Sequence, residues 1–139
     1  MQREVSDIQT STQPREDFDG VSVVVAVFNE EDCIARTHAE IQAALAGVPH
    51  EVIYVDDGST DGSGRILEQI VDGDPTARVI RFRRNFGKSA ALSAGFARVS
   101  YGAVATMDAD MQDDPDEIPK LINKMYDEDL DLISGWKKN

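Results

Sequence analysis

With 139 residues, the chain is long enough for one compact domain with its own core and too short for two. A net charge of −12 argues against general binding to nucleic acid or to an anionic membrane surface, both of which carry the same sign. Cys33 is the single cysteine, which excludes an intrachain disulfide and any cysteine-based zinc site, and the longest apolar run, Val21 to Phe28, is far too short to cross a bilayer.

In chain order, residues Met1 to Asp19 are polar, lack periodicity and carry no apolar segment of the kind a signal peptide needs, so they read as a flexible leader. The folded unit is expected from residue 20 to residue 139. Val21-Ser-Val-Val-Val-Ala-Val27 is a short β-branched run of the kind that a buried parallel strand presents. Ile34, Ile41, Leu45 and Val48 recur at helical spacing, predicting an amphipathic helix that ends near Gly47. A second strand is predicted at Glu51 to Val55 and a second helix along Ile66, Leu67, Ile70 and Val71. A third strand, Arg78 to Phe82, precedes an alanine-rich helix from Lys88 to Val99. Ala103 to Met107 is the fourth strand, Ile118, Leu121, Ile122 and Met125 mark a fourth helix, and Leu130 to Ile133 begins a fifth strand. Strand alternating with helix in this way predicts an α/β fold, a mostly parallel sheet with helices on both faces. In such sheets ligands bind beyond the carboxyl ends of the strands, here the loops after Val27, Val55, Phe82 and Met107.

These loops divide by charge. After the first strand, Phe28-Asn29-Glu30-Glu31-Asp32 is fully explained as a helix start, with Asn29 as cap and acids at the positive end of the dipole. After the second, capping by Thr60 or Asp61 leaves two adjacent carboxylates, Asp56 and Asp57, which can accept hydrogen bonds from a base N–H or a ribose hydroxyl. The third loop, Arg83-Arg84-Asn85-Phe86-Gly87-Lys88, sets cations beside a helix start and suits a diphosphate, with a solvated basic turn as the lesser reading; it lacks the P-loop spacing.

The fourth loop, Asp108-Ala-Asp-Met-Gln-Asp-Asp-Pro115, is the most informative. On an extended chain Asp108, Asp110 and Gln112 point to one side, giving two carboxylates and an amide oxygen for Mg²⁺ or Mn²⁺. The EF-hand pattern fails, because its glycine and terminal glutamate are not in register. Asp113, Asp114 and Asp116 are accounted for more simply, as acids that precede and open the next helix.

Taken together, Val23-Val-Val-Ala-Val-Phe-Asn-Glu-Glu31, Val55-Asp-Asp-Gly-Ser-Thr-Asp-Gly62, Arg84-Asn-Phe-Gly-Lys88 and Asp108-Ala-Asp-Met-Gln-Asp-Asp-Pro115 resemble the family 2 glycosyltransferases, and most of all their polyprenyl-phosphate hexosyltransferases. The resemblance runs from Val21 to Asn139. It implies a Rossmann-like GT-A fold and, of that fold, the nucleotide-sugar-binding half. It implies that Glu30, Asp56 and Asp57 hold the nucleoside, that Arg84 and Lys88 face the donor diphosphate, that Asp108 and Asp110 form the DxD motif with Gln112 assisting, and that Lys137, beside Trp136, faces a phosphate. The implied reaction is a metal-dependent, inverting transfer of a hexose from UDP- or GDP-hexose to a polyprenyl phosphate. The implied location is the cytoplasm or the cytoplasmic face of a membrane.

Ala26 departs from the family, where proline is common. The family's catalytic domain also continues beyond Asn139 into the segment that completes the acceptor site and supplies any general base; no residue of this chain is assigned that role, and membrane contact would come through that missing part. Two alternatives follow: the same fold acting on a polysaccharide or other hydroxyl acceptor, or a truncated, non-catalytic nucleotide-binding module. A nucleotidyltransferase is disfavoured, because it would present a basic, glycine-rich loop where Phe28-Asn29-Glu30 is acidic.

Overall fold

The computed structural model describes residues 18–128. Its elements are β1 (Val21–Val27), α1 (Ile34–Ala44), β2 (His50–Asp56), α2 (Ser63–Gly73), β3 (Ala77–Arg81), α3 (Lys88–Phe96), β4 (Ala103–Asp108) and α4 (Glu117–Asp127). The expected fifth strand at Leu130–Ile133, together with Trp136 and Lys137, lies outside the described residues. Phe18 and Asp19, the last two residues of the expected leader, touch the domain: Phe18 meets the Tyr126 ring edge-on at 5.7 Å, and Asp19 accepts the Gly102 N–H at 3.1 Å.

All described strand pairs are parallel, and the sheet runs β3-β2-β1-β4. β1 lies between two neighbours and is covered on both faces, which is why it reads as an uninterrupted apolar run. Val21, Val23, Val25 and Val27 enter one core with Ile34 and Ile41 of α1, Leu67 of α2, and Ile118 and Ile122 of α4. Val24 enters the other, with Ile53, Val55 and Ala91 of α3. Helices therefore cover both faces, three on one and α3 on the other. Gly95 of α3 sits so close to β1 that an added Cβ would overlap the Val24 side chain.

The predicted ends of two helices need correction. α1 ends at Ala44: the Leu45 N–H makes the last helical bond, to Ile41 O, and Leu45 then leaves the helical conformation, after which the Val48 N–H closes a tight turn on Leu45 O. α3 stops at Phe96, and the chain to Val99 continues in tapering turns, Arg98 N–H to Gly95 O and Val99 N–H to Phe96 O.

Two polar networks brace the far side of the sheet from the strand carboxyl ends. Tyr54, fully buried on β2, bonds through its hydroxyl to His38 Nδ1 at 2.6 Å, and His38 Nε2 meets Asp74 at 2.8 Å. Burial, and the Asp74 charge after it, push the Tyr54 phenol well above its ordinary range. On the other face Glu51, 5% exposed, accepts from the Ser22 hydroxyl and the Ser100 N–H, both at 2.6 Å.

From β1 the chain winds outward through β2 to β3, then crosses back by α3 to place β4 on the other side of β1. The crevice between β1 and β4 is thus the topological switch point, where α/β sheets bind ligands. Register puts Ala26 beside Asp108 and Val27 beside Asp56, so the carboxylates that end β2 and β4 flank the end of β1.

Candidate functional site

The first two loops are stitched together by backbone demand. The chain leaves β1 through Asn29, a left-handed residue at φ +52°. Asn29 Oδ1 accepts the Thr60 N–H at 2.8 Å, while its own N–H donates to Ser59 Oγ at 2.9 Å. Glu30 N–H donates to Ser63 Oγ at 3.0 Å, and Glu31 Oε2 accepts the Gly62 N–H at 2.8 Å. Asn29 is therefore not the cap of α1. The turn from Glu30 to Cys33 separates it from that helix, whose N-cap position is Cys33 without a side-chain cap. The N-cap position of α2 is Gly62, and Asp61, expected as the cap, lies one residue before it and accepts the Ser63 N–H at 2.9 Å.

The paired carboxylates that end β2 also have backbone partners. Asp56, 1% exposed, accepts the Ser59 N–H at 2.9 Å and lies 3.5 Å from Arg81 Nε. Asp57, 4% exposed, reaches the third loop: Oδ1 accepts the Phe86 N–H at 2.7 Å and Oδ2 the Gly87 N–H at 3.1 Å. Gly58, at φ +78°, makes this approach possible, because a Cβ there would run into the Arg84–Asn85 backbone. Gly87 stands at φ +102°, and no residue other than its chain neighbours comes within 4 Å of its absent Cβ.

The fourth loop folds back on itself. β4 ends at Asp108, and Met111, at φ +68°, turns the chain. Asp110 Oδ1 accepts the Gln112 N–H at 3.1 Å, and Asp113 Oδ2 accepts the Asp108 N–H at 2.8 Å. One carboxylate oxygen from each of Asp108, Asp110 and Asp113 lies within 4.8 Å of the others. The extended geometry expected for Asp108, Asp110 and Gln112 is not what forms. Gln112 is exposed, and Asp113 stands third in the carboxylate group instead of opening the helix, which begins only at Glu117. The sequence hinted at this only by holding more acids than one helix N-terminus uses.

Two further charged groups reach this cluster. Lys88, the first residue of α3, places its ammonium 2.8 Å from Asp108 Oδ1 and 2.9 Å from Oδ2. Glu30 faces it from the β1 side; burial, then the charges of Asp110, Asp61 and Asp108, raise its pKa above the ordinary 4.5. Arg84 stays on the rim, its guanidinium 4.6 Å above the Phe86 ring, and Phe86 packs edge-on against Phe82. Of the expected site residues, Glu30, Lys88, Asp108 and Asp110 come together at one place. Asp57 reaches it through the backbone that precedes Lys88.

The donor set suits a hard divalent cation. It consists of carboxylates from one loop, with no imidazole or thiolate among them.

Residues 22–138 match the family described as glycosyl transferase family 2. The dodecaprenyl-phosphate galacturonate synthase of Rhizobium johnstonii is 37% identical over 142 residues, a match that takes in 100% of this chain and 42% of that protein. An undecaprenyl-phosphate 4-deoxy-4-formamido-L-arabinose transferase of Klebsiella pneumoniae is 37% identical over 122 residues, 86% of this chain and 37% of the relative. The chain thus spans about two fifths of the length of these curated relatives. Among solved structures, the mannosyltransferase PcManGT from Pyrobaculum calidifontis, in complex with GDP-Man and Mn²⁺, superposes with a TM-score of 0.67 at 21% identity, over 80% of this chain and 36% of that one. TarS 1-349 from S. aureus in complex with UDP-GlcNAc gives 0.62 at 24% identity, over 78% of this chain and 31% of that one. These likenesses establish the fold, that of the GT-A glycosyltransferases. With acidic loops at the β1–β4 switch point and a family match over nearly all of the chain, the protein belongs to glycosyl transferase family 2.

Proposed function

We propose that the chain is the donor-binding part of a metal-dependent, inverting glycosyltransferase that moves a hexose from a nucleoside diphosphate to a polyprenyl phosphate. The observation that carries this reading is the convergence of Asp108, Asp110 and Asp113 at the switch point, with the Lys88 ammonium against Asp108. The names of the two curated relatives, both polyprenyl-phosphate sugar transferases, support the acceptor class.

Asp108, Asp110 and Asp113 would hold Mg²⁺ or Mn²⁺, and Gln112 remains proposed as an assisting ligand. Such an ion supplies Lewis acidity, neutralising charge that builds on the leaving nucleoside diphosphate. The chain's own residues do the rest. Glu30 and Asp57 border the nucleoside, Asp56 holds the turn that precedes α2, and Lys88 and Arg84 stabilise phosphate charge at the α3 start. An anionic lipid phosphate needs no strong general base. Lys137, outside the described residues, remains proposed as a phosphate contact. We place the protein in the cytoplasm or at the cytoplasmic face of a membrane; among the described residues no helix is long and apolar enough to cross one.

Incubating the full-length protein with labelled UDP- and GDP-hexoses, in Mn²⁺ or EDTA, and with polyprenyl phosphate or an oligosaccharide tests the acceptor class. Metal-dependent label in the lipid fraction is expected. Label in the oligosaccharide alone would move the assignment to a hydroxyl acceptor. Donor binding without transfer to either would leave a nucleotide-binding module.

A further inference from the structure

We infer that Lys88 is a resident counter-ion that makes cation and diphosphate binding at this site depend on one another; the inference rests on the metal reading of the acidic cluster. The Lys88 ammonium touches both oxygens of Asp108, at 2.8 and 2.9 Å. Asp108 is one of the three carboxylates whose oxygens converge within 4.8 Å. A cation that engages Asp108 therefore approaches a carboxylate already neutralised on both oxygens, and it meets a like charge beside it.

The ammonium has somewhere else to go. Lys88 is 55% exposed along its side chain and is the first residue of α3, next to the open space beside the Gly87 Cα. A diphosphate at that helix start would draw the flexible lysine stem toward itself. The backbone need not move, because Asp57 fixes the N–H groups of Phe86 and Gly87. The lysine end of the pair is open to water while Asp108 is partly covered, so releasing the ammonium costs little once the anion offers a replacement. The anion thereby draws the ammonium away from Asp108 as the cation approaches, and the cation by linkage strengthens the anion's hold. Lys88 is in this account a positioning residue that keeps the carboxylate group from loading a metal before a donor arrives.

The test is a Mn²⁺ titration of the full chain followed by electron paramagnetic resonance, alone and with saturating UDP, GDP or inorganic pyrophosphate. In the wild type, one nucleotide should tighten Mn²⁺ binding about tenfold or more, within the usual range of site coupling. Lys88→Met should tighten binding of Mn²⁺ alone roughly fivefold and shrink the nucleotide effect, while Lys88→Arg should restore wild-type behaviour. Circular dichroism melts confirm that the variants are folded. Lys88→Met with unchanged or weaker affinity for Mn²⁺ alone would overturn the inference while leaving the metal site intact. Mn²⁺ binding that ignores Asp110→Asn, or none in any variant, would instead sink the metal reading and the inference with it.

Discussion

Asp57, at the end of β2, holds the backbone of Gly87, at the start of α3: its Oδ2 accepts the Gly87 N–H at 3.1 Å, while Oδ1 accepts that of Phe86 at 2.7 Å. Through this bond one strand end sets the position of a helix that belongs to the opposite face of the sheet. Lys88 and its contact with Asp108 follow directly from it.

Removing this tie should therefore cost stability and binding together. Asp57→Ala leaves two backbone donors without their carboxylate, for a loss of about 2–4 kcal/mol at the usual 1–3 kcal/mol per stranded group, discounted for water that reaches the loop. Asp57→Asn keeps one acceptor and should fall between. Urea denaturation checks the stability, and nucleotide titration should show weaker binding in the same order.

Glu51 should separate stability from function. It is buried near the start of β2, at the opposite end of the sheet from the site, and it holds Ser22 and Ser100, with Arg78 at 3.6 Å. Glu51→Ala strands those donors in a buried place and should destabilise by about 3 kcal/mol. Nucleotide affinity, measured well below the melting temperature, should stay within about twofold of wild type, since folded protein remains in excess.

Gly95 tests how closely α3 packs on the sheet. Alanine would gain about 1 kcal/mol of helix propensity, but its Cβ overlaps Val24 in a filled core, which costs about 1–3 kcal/mol. Gly95→Ala should therefore lower the melting temperature, and its cost should be smaller in a Val24→Ala background than in the wild type. Additive effects in this double-mutant cycle would mean that the two residues do not meet.

The acid limb of stability should carry the mark of Asp74. Burial raises its pKa, but the Thr76 hydroxyl and N–H and the contact with His38 outweigh burial and hold it below the ordinary 3.8. A depressed carboxylate contributes stability that is complete above its unfolded pKa and is lost as pH falls through the folded value. Asp74→Asn should thus lower stability near neutrality and flatten its fall below about pH 4. Equal slopes for both proteins in acid denaturation would contradict this role.

Much of this could be read along the chain. The Val21–Val27 run announced a central parallel strand because both its faces are covered, and the loops that matter were placed by the ends of four strands. What could not be read depends on how loops meet. Asn29 looked like a local cap, yet it bonds to Thr60, thirty-one residues away. The Asp56–Asp57 pair looked spare until Ser59, Phe86 and Gly87 were seen to need acceptors. Asp113 was masked by a left-handed Met111, a conformation that methionine does not advertise.

The central claim is that Asp108, Asp110 and Asp113 bind a divalent cation together with a nucleoside diphosphate. Calorimetric titration of the chain with UDP and with GDP, each with and without Mn²⁺, tests it most directly, with Asp110→Asn and Asp113→Asn as controls. Metal-dependent binding of one nucleotide is expected, weakened in both variants by at least about tenfold, the loss of one charged ligand contact. Binding of equal strength with and without Mn²⁺, or unchanged in both variants, would contradict it.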